Sequence, residues 1–360
     1  LIVAGLIKGV GPTSPALAPR SDALEWGQEL LRLRTRLLVE GGDGGTLQAF
    51  YDTESMGGSW ALEKEQRRLA YLKQWAELRK VKFTRGEVEF TRVSVEASGE
   101  DAGVSICAHT RLTYCHLDRP IPGEDTLGWR TVHWMELHKE EGDWRLTAEW
   151  YLDPLEAASR NPEVAPSTAN IKLVRSEAEQ VLTSGGYRRA EAVRYADRYA
   201  GIKIGDGMGR YNPKYRDFAG VGGDCANFVS QALTDEEGGN LPTDWGWFYA
   251  GGEGTEAWLK AEAMVYHLLD TGRAVCLASG SLAEVTTPSS EYPHGALQAL
   301  LPGDIIAYEE GGEIVHVSLV VGRDSGGYVL VNSHSADRYR VPWDLGYGSD
   351  IEYWLLSIQG

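Results

Sequence analysis

The chain has 360 residues, of which 42% are hydrophobic and 24% charged: enough apolar content for two cores of ordinary size and too much for a disordered polymer. Its formal net charge of −17 argues against a nucleic-acid partner, because phosphate binding relies on clustered Lys and Arg that release counterions. Four cysteines are too few for a disulfide scaffold of this length, so each is weighed separately.

In chain order, Leu1-Ile2-Val3-Ala4-Gly5-Leu6-Ile7 is an apolar run too short to span a bilayer, and Ala16-Leu17-Ala18-Pro19 has an A-x-A-like spacing. Residues 1–20 are expected to be either the remnant of an export signal or a disordered leader. The first places the protein outside the cell or at its wall; the second fits the cytoplasm equally. No other segment approaches the length of a membrane span.

Residues 21–153 form the first expected domain. From Asp22, apolar side chains recur at helical spacing through Leu24, Leu31 and Leu38, up to Gly41-Gly42, and a second helix is expected over Glu63 to Lys80. After Gly86 the period changes to two. Strands are expected from Val88, over Gly103 to Leu117, over Trp129 to Lys139 and over Trp144 to Leu152, with Glu141-Gly142-Asp143 as a hairpin signal. Helices followed by a meander predict an α+β domain, an order similar to the NTF2-like and cystatin-like folds. Cys107 and Cys115 share one strand, where eight residues of extended chain set them roughly 27 Å apart. That distance forbids a bridge between them, or one metal shared by Cys107, His109 and Cys115.

Residues 154–172, with Pro162 and Pro166 among Ala, Ser and Asn, read as a linker, and residues 173–360 as a second domain. Its opening is helical up to residue 200, broken at Gly185-Gly186, with Ala190, Val193, Ala196 and Ala200 as the expected packing stripe.

Gly222-Gly223-Asp224-Cys225-Ala226-Asn227-Phe228-Val229-Ser230-Gln231 is the most informative stretch. The glycines supply a turn, Asp224 is an expected N-cap, and Cys225 would open a helix whose unpaired N–H groups favour a thiolate. The backbone N–H of Cys225 would also be free for an oxyanion. On spacing alone, an inert packed cysteine is the stronger reading. Further on, Pro302-Gly303-Asp304 turns into a strand, Gly311-Gly312 reverses the chain, and His316 lies on the returning strand. Alternation sets Ile314, His316, Ser318 and Val320 on one face and Val315, Val317, Leu319 and Val321 on the other. Asn332 and His334 end the next strand, where either would orient the His316 imidazole.

These segments, together with Tyr187-Arg188-Arg189, Tyr211-Asn212-Pro213-Lys214-Tyr215 and Val331 to Arg338, resemble the amidase domain of Gram-positive bacteria. That family is related to NlpC-type and CHAP-type cell-wall hydrolases with a papain-like core. The resemblance spans residues 187 to about 340. It implies a papain-like cysteine hydrolase domain with Cys225 as nucleophile, His316 as base and His334 as third residue, Asn332 being the alternative. It implies no cofactor or metal, and a peptide or amide substrate such as peptidoglycan peptides. Three positions depart from the family's pattern or from papain: Ala226 follows the cysteine in place of threonine, Ala336 replaces an asparagine, and Ala219 stands where papain has its oxyanion glutamine. Tyr215 and Asn227 are the candidates for a second oxyanion donor. Trp245, Trp247 and Tyr249 are candidates for a substrate groove. The expected activity is thiol-dependent hydrolysis of an amide, the alternatives being acyl transfer from the same cysteine or a non-catalytic wall- or protein-binding module.

Overall fold

The computed structural model describes residues 19–42, 44–118, 123–155, 186–205, 207–219, 223–335 and 337–360. The expected leader, most of the linker, the helical pattern before Gly185, Gly222 of the cysteine motif and Ala336 lie outside the described residues.

Helix α1 (Pro19–Glu40) buries Leu30, Leu31, Leu33, Leu37 and Leu38. It stops before Gly41, whose φ of 76° suits only a residue tolerant of the left-handed region. Helix α2 (Met56–Leu78) begins well ahead of the expected Glu63, and the Ser55 side chain caps it by accepting from the Gly58 N–H. Glycine is required at residue 58 because an added Cβ would run into the carbonyl oxygens of Asp52 and Leu146.

Strands β1 (Val81–Ser98), β2 (Asp101–His116), β3 (Asp125–Glu140) and β4 (Asp143–Trp150) follow as an antiparallel meander. Strand β1 starts at Val81, before the expected change at Gly86, because buried Val81 and Phe83 already alternate with exposed Lys82 and Thr84. Glu141 and Gly142, with φ of 50° and 96°, make the expected two-residue hairpin. The two helices and one face of the meander enclose a core that includes Leu30, Leu72, Ile106 and Leu112. Inside it, Arg34 pairs with Glu149 at 2.6 Å and Arg68 with Asp153 at 2.9 Å.

The C-terminal half contains helices α3 (Arg189–Tyr199), α4 (Cys225–Thr234), α5 (Glu256–Leu259), α6 (Ala261–Asp270) and α7 (Leu282–Thr286). Its strands are the short pair β5 (Tyr249–Ala250) and β6 (Glu253–Gly254), then β7 (Ala274–Ser281), β8 (Ile305–Glu310), β9 (Glu313–Arg323), β10 (Val329–Ser333), β11 (Arg338–Pro342) and β12 (Ile351–Ile358). On α3 the expected stripe holds in part: Ala196 and the following Ala200 are buried and Val193 packs half-buried on the core, but Ala190 is exposed, and Ala192, Tyr195 and Tyr199 join the packing face. The rings of Tyr195 and Tyr199, 4.8 Å apart, set that face.

The chain is an α+β protein whose halves share a sheet. The order β1-β2-β3-β11-β10-β9-β8-β12-β7, with β4 beside β3, makes ten strands. Its two parts join where Arg338 and Tyr339 of β11 pair with Trp129 and Gly128 of β3. No described helix is long and apolar enough to cross a membrane. Gly58→Ala is expected to lower stability by roughly 1–3 kcal/mol through overpacking, measured as a reduced urea midpoint at unchanged m-value. An unchanged midpoint would show that α2 and β4 do not approach this closely.

Candidate active site

Helix α4 starts at Cys225, as its motif predicts, but Asp224 does not act as a side-chain cap. Its carboxylate turns inward. It accepts from the Phe218 N–H at 3.0 Å and the Asn227 amide at 2.7 Å, and meets His334 Nδ1 at 2.6 Å. The Asp224 N–H is bonded to the Ser335 hydroxyl. The turn between β10 and β11 thus grips the start of the cysteine helix from both sides of one peptide.

This assignment of His334 leaves nothing for His316. Its other ring nitrogen, Nε2, lies 2.7 Å from the Tyr199 carbonyl oxygen, and its ring is stacked between Tyr211 and Phe228 at 3.7 and 4.0 Å. Asn332 is also committed: its amide donates to Asp197 at 2.9 Å, and its oxygen accepts from the Arg340 N–H at 2.6 Å. Neither residue reaches the His316 ring, whose Nε2 is buried without a hydrogen-bond partner. The ring instead faces Tyr308, 5.6 Å away between centroids, and Tyr308 stacks on Tyr347 at 4.2 Å.

The thiol reaches the histidine strand at its main chain. Pairing of β9 with β10 ends at Leu319–Asn332, and beyond it the N–H of Val317, the residue after His316, points at the Cys225 thiol. The strict alternation expected along β9 fails at one position. A register shift between Tyr308 and Glu309 puts Ile314 in the core with Val317 and Leu319, and leaves Val315 48% exposed.

Electrostatics also depart from the expected thiolate. Cys225 is 7% exposed, and burial pushes its thiol up more strongly than the N–H groups of Val317, Ala226 and Cys225 itself pull it down. Asp224 adds to the rise. Burial, followed by the Arg338 guanidinium, pushes the His316 imidazole down to about 3. Both shifts favour a neutral thiol and a neutral imidazole over an ion pair.

The other candidates separate clearly. Asn227 is fully buried, its amide donating to Arg216 and Asp224 and its oxygen accepting from Trp258, so it is a structural hub with no donor to spare. Tyr215 donates its hydroxyl to Asp235 at 2.7 Å. Trp247 is a core residue bonded to Ser230, whereas Trp245 is 91% exposed and Tyr249 is half-buried, its hydroxyl accepting from the Arg216 N–H. Cys107 and Cys115 are free thiols, and His109 bonds Thr91. His116, Asp125 and Asp324 have ligand atoms within 4.8 Å of one another. Those atoms are already engaged: Asp324 takes Tyr114, His116, Gly326 and Tyr328, while Asp125 takes Ser325. The residues that sequence reasoning missed are Val317, Tyr308, Tyr347 and Arg338, whose approach depends on strand pairing that no local pattern signals.

One comparison with known proteins bears on the same half. Residues 186–356 match the family model described as "Putative amidase domain". That match supports amide hydrolysis in general for the C-terminal half. The chain is also 28% identical over 199 residues to the uncharacterized protein YhbB of Bacillus subtilis (strain 168), covering 51% of this chain. It spans about half of that relative's length, 55%. Among solved structures it is similar to the intermembrane space region of the chloroplast protein ARC6, at 14% identity and a TM-score of 0.26 over 38% of this chain and 98% of that one. It is also similar to an NTF2-like protein of unknown function from Pseudomonas putida KT2440, at 13% identity and a TM-score of 0.22 over 37% of this chain and 88% of that one. A protein with a cystatin-like fold from Nostoc punctiforme PCC 73102 gives 11% identity and 0.21, over 34% and 85%. Likenesses at these scores say nothing of what the chain does.

With the thiol raised, alkylation of Cys225 by iodoacetamide is expected to increase with pH through a midpoint above the unperturbed value of about 8.5. Mass mapping separates it from Cys115 and Cys276. A midpoint well below that value would overturn the neutral pair.

Proposed function

We propose that the C-terminal half is a cysteine-dependent amidase or peptidase in which Cys225 is the nucleophile and His316 its general base. The observation that carries this is the seating of the thiol at the start of α4 against the N–H of Val317, the residue that follows His316 in β9. The neutral imidazole takes the thiol proton as sulfur attacks the amide carbonyl, so no thiolate need persist in the buried site. The N–H groups of Cys225 and Val317 converge on the sulfur, which makes them the donors for the tetrahedral oxyanion, in place of Tyr215 and Asn227. Collapse of the intermediate breaks the C–N bond, and the amine leaves with the proton held by His316. His316 then deprotonates a water that hydrolyses the thioester.

The substrate class we assign is a peptide amide of the cell wall, reached by export. This is supported by the resemblance of the cysteine and histidine segments to cell-wall hydrolases. A second reading is favoured by the 7% exposure of the thiol: a binding module of the same fold without turnover. Cys225→Ala is expected to abolish release of amine from peptidoglycan stem peptides while binding survives, and His316→Ala to slow it by roughly 10²–10⁴-fold. Turnover that persists in Cys225→Ala would sink the thiol mechanism; binding without turnover in the unaltered protein would establish the module.

A further inference from the structure

With Asn332 and His334 committed elsewhere, the His316 ring is left with aromatic neighbours, and these are anchored on the other half of the chain. Tyr347, stacked on Tyr308, lies in the segment Trp343 to Tyr347 between β11 and β12. Helix α2 holds that segment at two points. The fully buried Tyr71 hydroxyl accepts from the Gly346 N–H at 2.9 Å and donates to the Tyr347 carbonyl at 2.9 Å. Arg79, just past the end of α2, forms a buried ion pair with Asp344. A third hold comes from Arg338: its Nε donates to the Pro154 carbonyl at 3.0 Å, and its guanidinium carbon lies 4.7 Å from the centre of the Tyr347 ring. Inside the segment, the Tyr308 hydroxyl donates to the Trp343 carbonyl at 2.9 Å, which ties the ring next to His316 to the clamped loop. Leu345 sits in the core of the N-terminal half.

We infer that the N-terminal half is a positioning element of the active site: Tyr71 and Arg79 hold the Tyr347–Tyr308 stack against His316, and packing of that stack orients the base in place of a third polar residue. The inference rests on the proposed roles of Cys225 and His316. Triads usually fix the imidazole by a hydrogen bond to the nitrogen that does not face the nucleophile; here Nε2 is buried with no hydrogen-bond partner among the described residues, and the Tyr308 ring packs 5.6 Å away. Asp224 and His334 fix the nucleophile through α4 within the C-terminal half, whereas the aromatic stack that packs on His316 is anchored on the N-terminal half.

The test is Cys225 alkylation by iodoacetamide across pH in the full chain, with Cys115 and Cys276 as internal controls and the urea midpoint as a check on folding. Tyr71→Phe removes one hydroxyl and keeps the ring. It is expected to slow Cys225 by about 5- to 100-fold at neutral pH, the scale of a misplaced catalytic group, and to leave the control thiols within about twofold. In a His316→Ala background the same change should add nothing. Tyr347→Ala should slow Cys225 similarly, and Tyr347→Phe should recover most of the loss. A Cys225 rate unaltered by Tyr71→Phe, effects that multiply with His316→Ala, or a uniform change at all three thiols with a lower urea midpoint would overturn the inference. If His316→Ala alone has no effect, the proposed function fails as well; if it slows Cys225 and Tyr71→Phe does not, only the positioning role is lost.

Discussion

The geometry of the site depends on one buried carboxylate. Asp224, 1% exposed, cannot be left charged in the interior without partners, and it has three that come from three directions: the loop at Phe218, its own helix at Asn227, and the strand end at His334. Because those partners are distant in sequence, satisfying this one group fixes where α4 begins relative to β10. The thiol then has no freedom except to lie against the Val317 main chain. The segments that carry the family resemblance interlock around the same frame. Tyr187 bonds the Gly303 carbonyl, Arg189 the Asp304 carboxylate, Tyr195 the Gln231 side chain and Tyr211 the Asp337 carboxylate.

Such a site trades ground-state reactivity for a dry environment. Helix-start N–H groups stabilise a thiolate, but for a thiol this deeply buried the loss of solvation outweighs them. The imidazole is biased the same way, since its neighbours are aromatic rings and a guanidinium, with no carboxylate to stabilise the imidazolium. In the mechanism we propose, proton transfer is coupled to attack, and the charge that develops is received by backbone donors.

Local chemistry made some of this legible. The hairpin at Glu141-Gly142 follows from two positive φ angles, the Cys225 helix from its glycine turn and apolar spacing, and the meander from period-two runs. What escaped was set by contacts between distant residues. The early start of α2 depends on the approach of Gly58 to the Leu146 carbonyl. The face of α3 keeps Ala196 of the expected stripe but turns Ala190 outward and takes in Tyr195 and Tyr199, and the place of Ile314 depends on one bulge. His334 has the right residue type and a plausible position for a third catalytic residue, yet its two nitrogens are decided by Asp224 and Tyr199, neither of which its own strand predicts.

The junction of β3 and β11 bears on whether the halves can be separated. Pairing there involves Trp129 with Arg338 and Gly128 with Tyr339, so each half completes the other's sheet. Cut between the halves, Gly128 and Trp129 of β3 and Arg338 and Tyr339 of β11 would lose their main-chain partners, and Val341 of β11 and nearby Leu345 would leave the N-terminal core they now complete. A fragment made at this boundary would start with an open stretch of strand edge and with apolar side chains stripped of their neighbours.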